Sequence, residues 1–211
     1  MAQTDYFMRI IEQFADFLWA IMLNKKVQNY DLALEKINEA YNGLLYLDAD
    51  KIKFLSVNEI LKNNTHKGVL DKNNIEIIAS LLFEEADILE NIGGNNIASI
   101  DYYQKSMELF IILFSETAIE KYCKTIEDIS SKLKNYKIGD ELNKKISDYY
   151  FKKGCYGKAE DRLYDLLESK NPDTKSEIRE FYEILLKKDD IELEKGNLPR
   201  KEIIEALAAL K

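Results

Sequence analysis

Residues 140–173, DELNKKISDYYFKKGCYGKAEDRLYDLLESKNPD, decide the fold. Ile146 and Tyr150 stand four residues apart before Gly154, and Tyr156, Ala159, Leu163 and Leu166 recur at three- and four-residue steps after it. That period belongs to amphipathic helices, not to strands. The stretch therefore reads as two helices, about 140–153 and 157–169, reversed at Gly154, which tolerates the left-handed backbone of a sharp turn. Ser147 and Ala159 are small where the helices would cross, so the axes can approach while larger side chains fill the remaining space.

Helical periodicity extends in both directions. Phe7, Ile10, Ile11, Phe14, Phe17, Leu18, Ile21 and Met22 give a first helix over 5–26 with a wide apolar face. Asn29 caps a second helix over 30–46, with Leu34, Ile37, Tyr41 and Leu44 inward. Ser56-Val57-Asn58-Glu59 is a capping box opening a short helix to Lys62, and 63–72 reads as a loop. Asn73 is expected to cap a long helix to Asn91, ended by Gly93-Gly94, with helices over 96–114 and 117–135 following. Thr174-Lys175-Ser176-Glu177 is a second capping box, opening a helix to about 188, and a short turn at 190–195 ends at Gly196. Pro199 starts a last helix to Leu210. No strand pair or hairpin signal stands out, and only 8 Gly and 2 Pro punctuate 211 residues. The expectation is an all-α chain of nine or ten helices in antiparallel pairs, forming one domain over 1–211.

A 34-residue period is the signature of tetratricopeptide repeats. In 140–173, Ile146, Ser147 and Tyr150 fit the first helix of that repeat, Gly154 and Tyr156 its turn, and Ala159 and Leu163 its second helix. Leu166 stands where Ala is usual. Fainter copies near 14–47 (Phe17, Ala20, Ala33, Ile37, Ala40) and 79–112 (Leu82, Ala86, Leu89, Gly93, Ala98, Tyr102) complete an α-α superhelix. The competing reading is an irregular bundle whose Ala and Gly merely reflect close packing. The opening DYFMRIIEQFADFLW, the block YYFKKGCYGKAEDRLYDLLE and the closing FYEILLKKDDIELEKGNLPRKEI together resemble an uncharacterised helical family of low-GC Gram-positive bacteria, over nearly the whole length. The resemblance implies a tetratricopeptide-like superhelix and a bacterial cytosolic location, and supplies no catalytic residues.

Bulk charge narrows the partners. A net charge of −8 repels polyanions on average, and the basic group Lys144, Lys145, Lys152 and Lys153 is hemmed by Asp140, Glu141, Asp148, Glu160 and Asp161, so nucleic acid is not expected. The start lacks a basic, cleavable leader, and the most apolar run, Phe14–Leu23, carries Asp16 and falls short of the ~20 residues of a membrane span. A cytoplasmic protein is expected, with Cys123 and Cys155 reduced.

No constellation carries catalysis. Asp48, Asp50 and Glu59 fall at calcium-loop positions, but Ile52 and Lys53 stand where an oxygen ligand and Gly belong. Glu84, Glu85, Asp87 and Glu90 lack the His of a two-metal bundle site and read as a solvated face. His66, the one histidine, falls in a loop, and Cys155 reads as a turn-packing residue. No metal, cofactor or catalytic residue is expected, and the chain is not expected to be an enzyme.

What remains is a scaffold that binds a peptide or protein on the concave face, where first-helix residues of such repeats project. Transferring those positions gives Glu141, Lys144, Asp148, Phe151 and Lys152 from the clear copy. The second copy gives Ser80, Phe83, Asp87, Glu90 and Asn91. Tyr149 and Phe151 cannot share the face of Tyr150, so one of them should be exposed. The alternative is a self-associating module, a homodimer through helix 5–26, because Met8, Ala15 and Trp19 lie off its main apolar stripe.

Overall fold

In the computed structural model the described residues are 2–46, 48–93, 97–167 and 174–210, with side chains described from residue 8. They form twelve helices and one small hairpin, in the order α1 (Ala2–Lys26), α2 (Tyr30–Leu45), α3 (Ala49–Phe54), α4 (Val57–Asn63), β1 (Thr65–His66), β2 (Val69–Leu70), α5 (Lys72–Gly93), α6 (Ile97–Thr117), α7 (Lys121–Leu133), α8 (Asp140–Lys152), α9 (Tyr156–Leu167), α10 (Thr174–Leu185), α11 (Asp190–Lys195) and α12 (Arg200–Ala209). The chain is all-α, with two short helices, α3 and α11, beyond the ten expected. Each is a six-residue helix opened by an aspartate: the side chain of Asp48 accepts from Asp50 N at 3.1 Å and that of Asp189 from Glu192 N at 2.8 Å. Residues 63–72 are not wholly a loop. Thr65 and His66 pair antiparallel with Leu70 and Val69. The turn between them holds Lys67 and Gly68 at φ 52° and 79°, the doubly left-handed turn of tight hairpins, here without its usual Asn-Gly signal.

Two compact units divide the chain, residues 1–136 and 137–211. The stretches 14–47 and 79–112 fall in the first unit and 140–173 in the second.

In the first unit, α5 is the central element. It packs on α2 and α6, and it buries Ile75, Ile77, Ile78, Ala79, Leu81, Leu82, Ala86 and Ile88, apolar nearly all round as a doubly covered helix must be. Its cap is Asp71, whose carboxylate accepts from Asn74 N at 3.1 Å, rather than the expected Asn73. The α5–α6 crossing uses small residues: the Ser106 and Ser99 hydroxyls donate to the carbonyls of Ala79 and Ala86 at 2.7 and 3.0 Å. The inward positions of α6 are therefore Ser99 and Tyr103, one residue beyond the expected Ala98 and Tyr102, a rotation of about 100°. The Ser56–Glu59 capping box is present with both reciprocal bonds, and Asn29 caps α2. In α1 the expected wide face splits. Ile21 is buried, Ile10, Phe14, Phe17 and Leu18 are half-buried, and Ile11 and Met22 are exposed. Of Phe7 only the backbone is described.

In the second unit, α8 and α9 form an antiparallel pair. Gly154 stands at φ +72°, Cys155 N donates to Tyr150 O at 2.9 Å and Gly154 N to Phe151 O at 3.0 Å, a Schellman closure of α8. Ala159 is fully buried, and the Ser147 hydroxyl donates to its carbonyl at 2.9 Å. Ile146, Tyr149, Tyr150, Tyr156, Leu163 and Leu166 are buried with them. The turn before α9 meets the turn after α11, where Gly157 N donates to Gly196 O at 2.9 Å. A Cβ on Gly196 would lie 2.7 Å from the Gly154 carbonyl and would run into the Tyr156 ring, so only glycine fits. Thr174 is the first residue of α10 and is buried. Pro172, which precedes the expected capping box, and Gly94 after α5 lie outside the described residues.

Candidate functional site

The second unit carries a groove of about 350 Å³ between α8 and α10, floored by Leu163 of α9. Lys144, Ser147, Asp148 and Phe151 enter it from α8, and Glu177, Glu180, Phe181 and Ile184 from α10. Both sets step i, i+3, i+4, i+7, the spacing that places side chains on one helix face. Phe151 is half-buried. Its ring meets Phe181 edge-on at 5.8 Å and lies 5.6 Å from Tyr156, with the Lys188 ammonium 5.8 Å from its centre. Leu163 and Phe181 are buried and Ile184 is 39% exposed, so apolar surface is open at the groove.

Charge rings this floor. Lys144 Nζ bonds Glu177 Oε1 at 2.6 Å, and that bond raises the ammonium pKa. Asp148 is pushed up by loss of solvent and by the Glu177 charge, against the pull of Lys152. Glu180 is exposed. Against one lysine, already engaged, the groove thus sets three carboxylates. It offers an apolar seat with an acidic rim.

Of the residues expected from the clear copy, Lys144, Asp148 and Phe151 line the groove together. Lys152 is exposed and is not among the lining residues, and Glu141 is exposed. Tyr149 is 2% exposed, which leaves Phe151 as the open aromatic of the two. Glu177, Glu180, Phe181, Ile184 and Leu163 were not expected. For the four on α10 the i, i+3, i+4, i+7 spacing was the signal, masked because two of those positions are charged.

The second set belongs to the first unit, and there the acidic run is no solvated face. Lys25 of α1 reaches Glu84 and Asp87 at 2.5 and 2.7 Å, and Lys132 of α7 reaches Asp87 and Glu90 at 2.8 and 2.6 Å. The Tyr103 hydroxyl of α6 donates to Glu90 and Asp87 at 3.0 and 3.3 Å, and its pKa is driven up by burial and by those two carboxylates. Glu85 is 4% exposed and bonds Lys53 at 2.8 Å. Neighbouring helices supply the cations that make burial of these carboxylates affordable. Phe83 meets the Tyr103 ring at a tilt, 6.0 Å between centres, Ser80 is half-buried, and Asn91 donates to its own helix at Asp87 O, 2.6 Å away. Asp87 and Glu90 therefore tie α1, α5, α6 and α7 together.

Asp48 and the Ser56–Glu59 pair serve as helix caps, and His66 is exposed in β1. Among the described residues, no three His, Cys, Asp or Glu side chains gather as metal ligands. No helix among them is long and apolar enough to cross a membrane.

The model of a family of unknown function, DUF6483, matches residues 1–211. The chain belongs to this family. No curated protein and no solved structure matches it. The family's description assigns no activity, so any role rests on the geometry above.

Proposed function

We propose that this chain is a non-enzymatic helical scaffold of the bacterial cytosol, built on tetratricopeptide-like helix pairs, that captures a short peptide segment of a partner protein in the α8–α10 groove. The carrying observation is the pairing of an apolar seat, Phe151, Phe181 and Ile184, with the rim of Asp148, Glu177 and Glu180. A groove of about 350 Å³ is at the small end of ligand sites and holds one or two side chains. Its occupant is a segment that places an aliphatic or aromatic residue beside a lysine or arginine. Nucleic acid is the opposite case, since a phosphate backbone meets three carboxylates there. Two free thiols suit a reducing compartment.

Selection from a peptide-display library on the full-length chain tests this. Enriched peptides should share an apolar residue adjacent to a basic one. Phe151→Ala should weaken them by about 2 kcal/mol, roughly thirtyfold. Glu180→Lys should weaken them at low salt more than at high salt, because it reverses a solvated rim charge. Enriched peptides without basic residues, or binding that both variants leave unchanged, refute the reading.

A further inference from the structure

The outer side of α1 presents a second apolar stripe. Met8, Ile11, Trp19, Met22 and Leu23 are 55%, 52%, 69%, 56% and 49% exposed, and Ala15 is exposed between them. At 3.6 residues per turn, Ile11, Met22, Ala15, Met8 and Trp19 fall within an arc of about 80°, distinct from the Ile10, Phe14, Phe17 and Ile21 arc that faces the unit's interior. We propose that this stripe is a homodimer interface in which α1 of two copies packs antiparallel, with Trp19 near the two-fold axis.

Area supports a second copy as the occupant. Trp19 at this exposure leaves on the order of 150 Å² open, and the four half-exposed aliphatic side chains bring the patch to roughly 500–600 Å². That is the upper end of what a monomer leaves uncovered. Pairing two such patches with their polar edges gives roughly 1,200 Å², where specific interfaces begin. Self-complementarity supports it too. With Trp19 opposite Trp19, small Ala15 meets Leu23 in the adjoining layer and lets the axes approach, and exposed Glu12, about 20° to one side of Trp19 around the helix, comes level with exposed Lys26, about 20° to the other. The stripe from Met8 to Leu23 is about 22 Å long, enough for this pairing. A lipid surface fits less well, because this side of α1 carries Glu12 and Asp16 beside Arg9 and Lys26 and has no cationic excess.

Sedimentation velocity of the full chain across a concentration series tests this, with the emission of its one tryptophan read alongside. The expected result is a species of twice 24.6 kDa that dissociates on dilution with a red shift of Trp19 emission. Trp19→Lys should raise the dissociation constant at least a hundredfold while leaving the helical circular dichroism and peptide capture at the groove unchanged. Glu12→Lys should weaken the dimer several-fold, and Glu12→Lys combined with Lys26→Glu should restore it. A monomer at every concentration overturns the proposal, whether Trp19 emits as exposed or, covered by its own chain, as buried. A dimer indifferent to Trp19→Lys overturns it as well, as does one that the combined charge exchange fails to restore.

Discussion

Ala159→Leu tests the packing of the α8–α9 pair. Ala159 is fully buried, and its carbonyl already receives the Ser147 hydroxyl at 2.9 Å, so the two backbones meet with only a methyl group between them. Leucine adds three carbons at a position that has no exposed surface of its own. Overpacking of this kind costs about 1–3 kcal/mol, since neighbours must leave their rotamers or the helices must part. With a urea slope of about 2 kcal/mol per molar, a cost of about 2 kcal/mol lowers the midpoint by ~1 M. The assay is urea unfolding of the full chain followed by far-UV circular dichroism. Ala208→Leu, at an exposed position of α12, serves as control and should change stability by less than about 0.5 kcal/mol, a midpoint shift under ~0.25 M. An Ala159→Leu midpoint equal to wild type would show that the crossing is not close-packed, and would remove the strongest pair from the account.

Gly196→Ala should destabilise the chain by about 1–3 kcal/mol in the same assay, because its Cβ has the Gly154 carbonyl and the Tyr156 ring in its way. Glycine at φ −77° is not strained there, so an effect is steric and a null result contradicts the close approach. Asp87 supplies a pH signature. Burial opposes its charge, but hydrogen bonds and charges from Lys132 and Lys25 outweigh that and hold its carboxyl below the usual range. A folded pKa below the unfolded value of ~3.9 contributes stability above that pH and loses it as pH falls through the folded value. The midpoint should therefore fall on acidification below about pH 4, and Asp87→Asn, weaker at pH 7, should fall less steeply over that range.

The second unit was the most legible part of the sequence. Its turn needed one residue type, and Gly154 at positive φ supplied it. Its crossing needed small side chains, and Ser147 and Ala159 announced them. Local signals of this kind also placed the Asn29 cap and the Ser56–Glu59 box. Periodicity alone failed where two registers were nearly equivalent. In α6, Ala98 and Tyr102 fit the template as well as Ser99 and Tyr103, and only the carbonyls of Ala79 and Ala86 across the crossing decide between them. Pairing of charge is equally invisible along a chain. Asp87 and Glu90 read as solvated until Lys25 and Lys132, 62 and 42 residues away, are placed beside them. For the groove, α8 was readable through its repeat-like register, and α10 was not. An apolar pair at 181 and 184 becomes the wall of a groove only when another helix stands opposite.

The central claim is that the groove between α8 and α10 receives a peptide. Its most direct measurement is an amide chemical-shift titration of the full-length, isotope-labelled chain with one enriched peptide carrying adjacent apolar and basic residues. The account predicts saturable shifts gathered on Lys144, Asp148 and Phe151 of α8 and Glu177, Glu180, Phe181 and Ile184 of α10. Saturable shifts that leave these residues unmoved and gather in the first unit would contradict it.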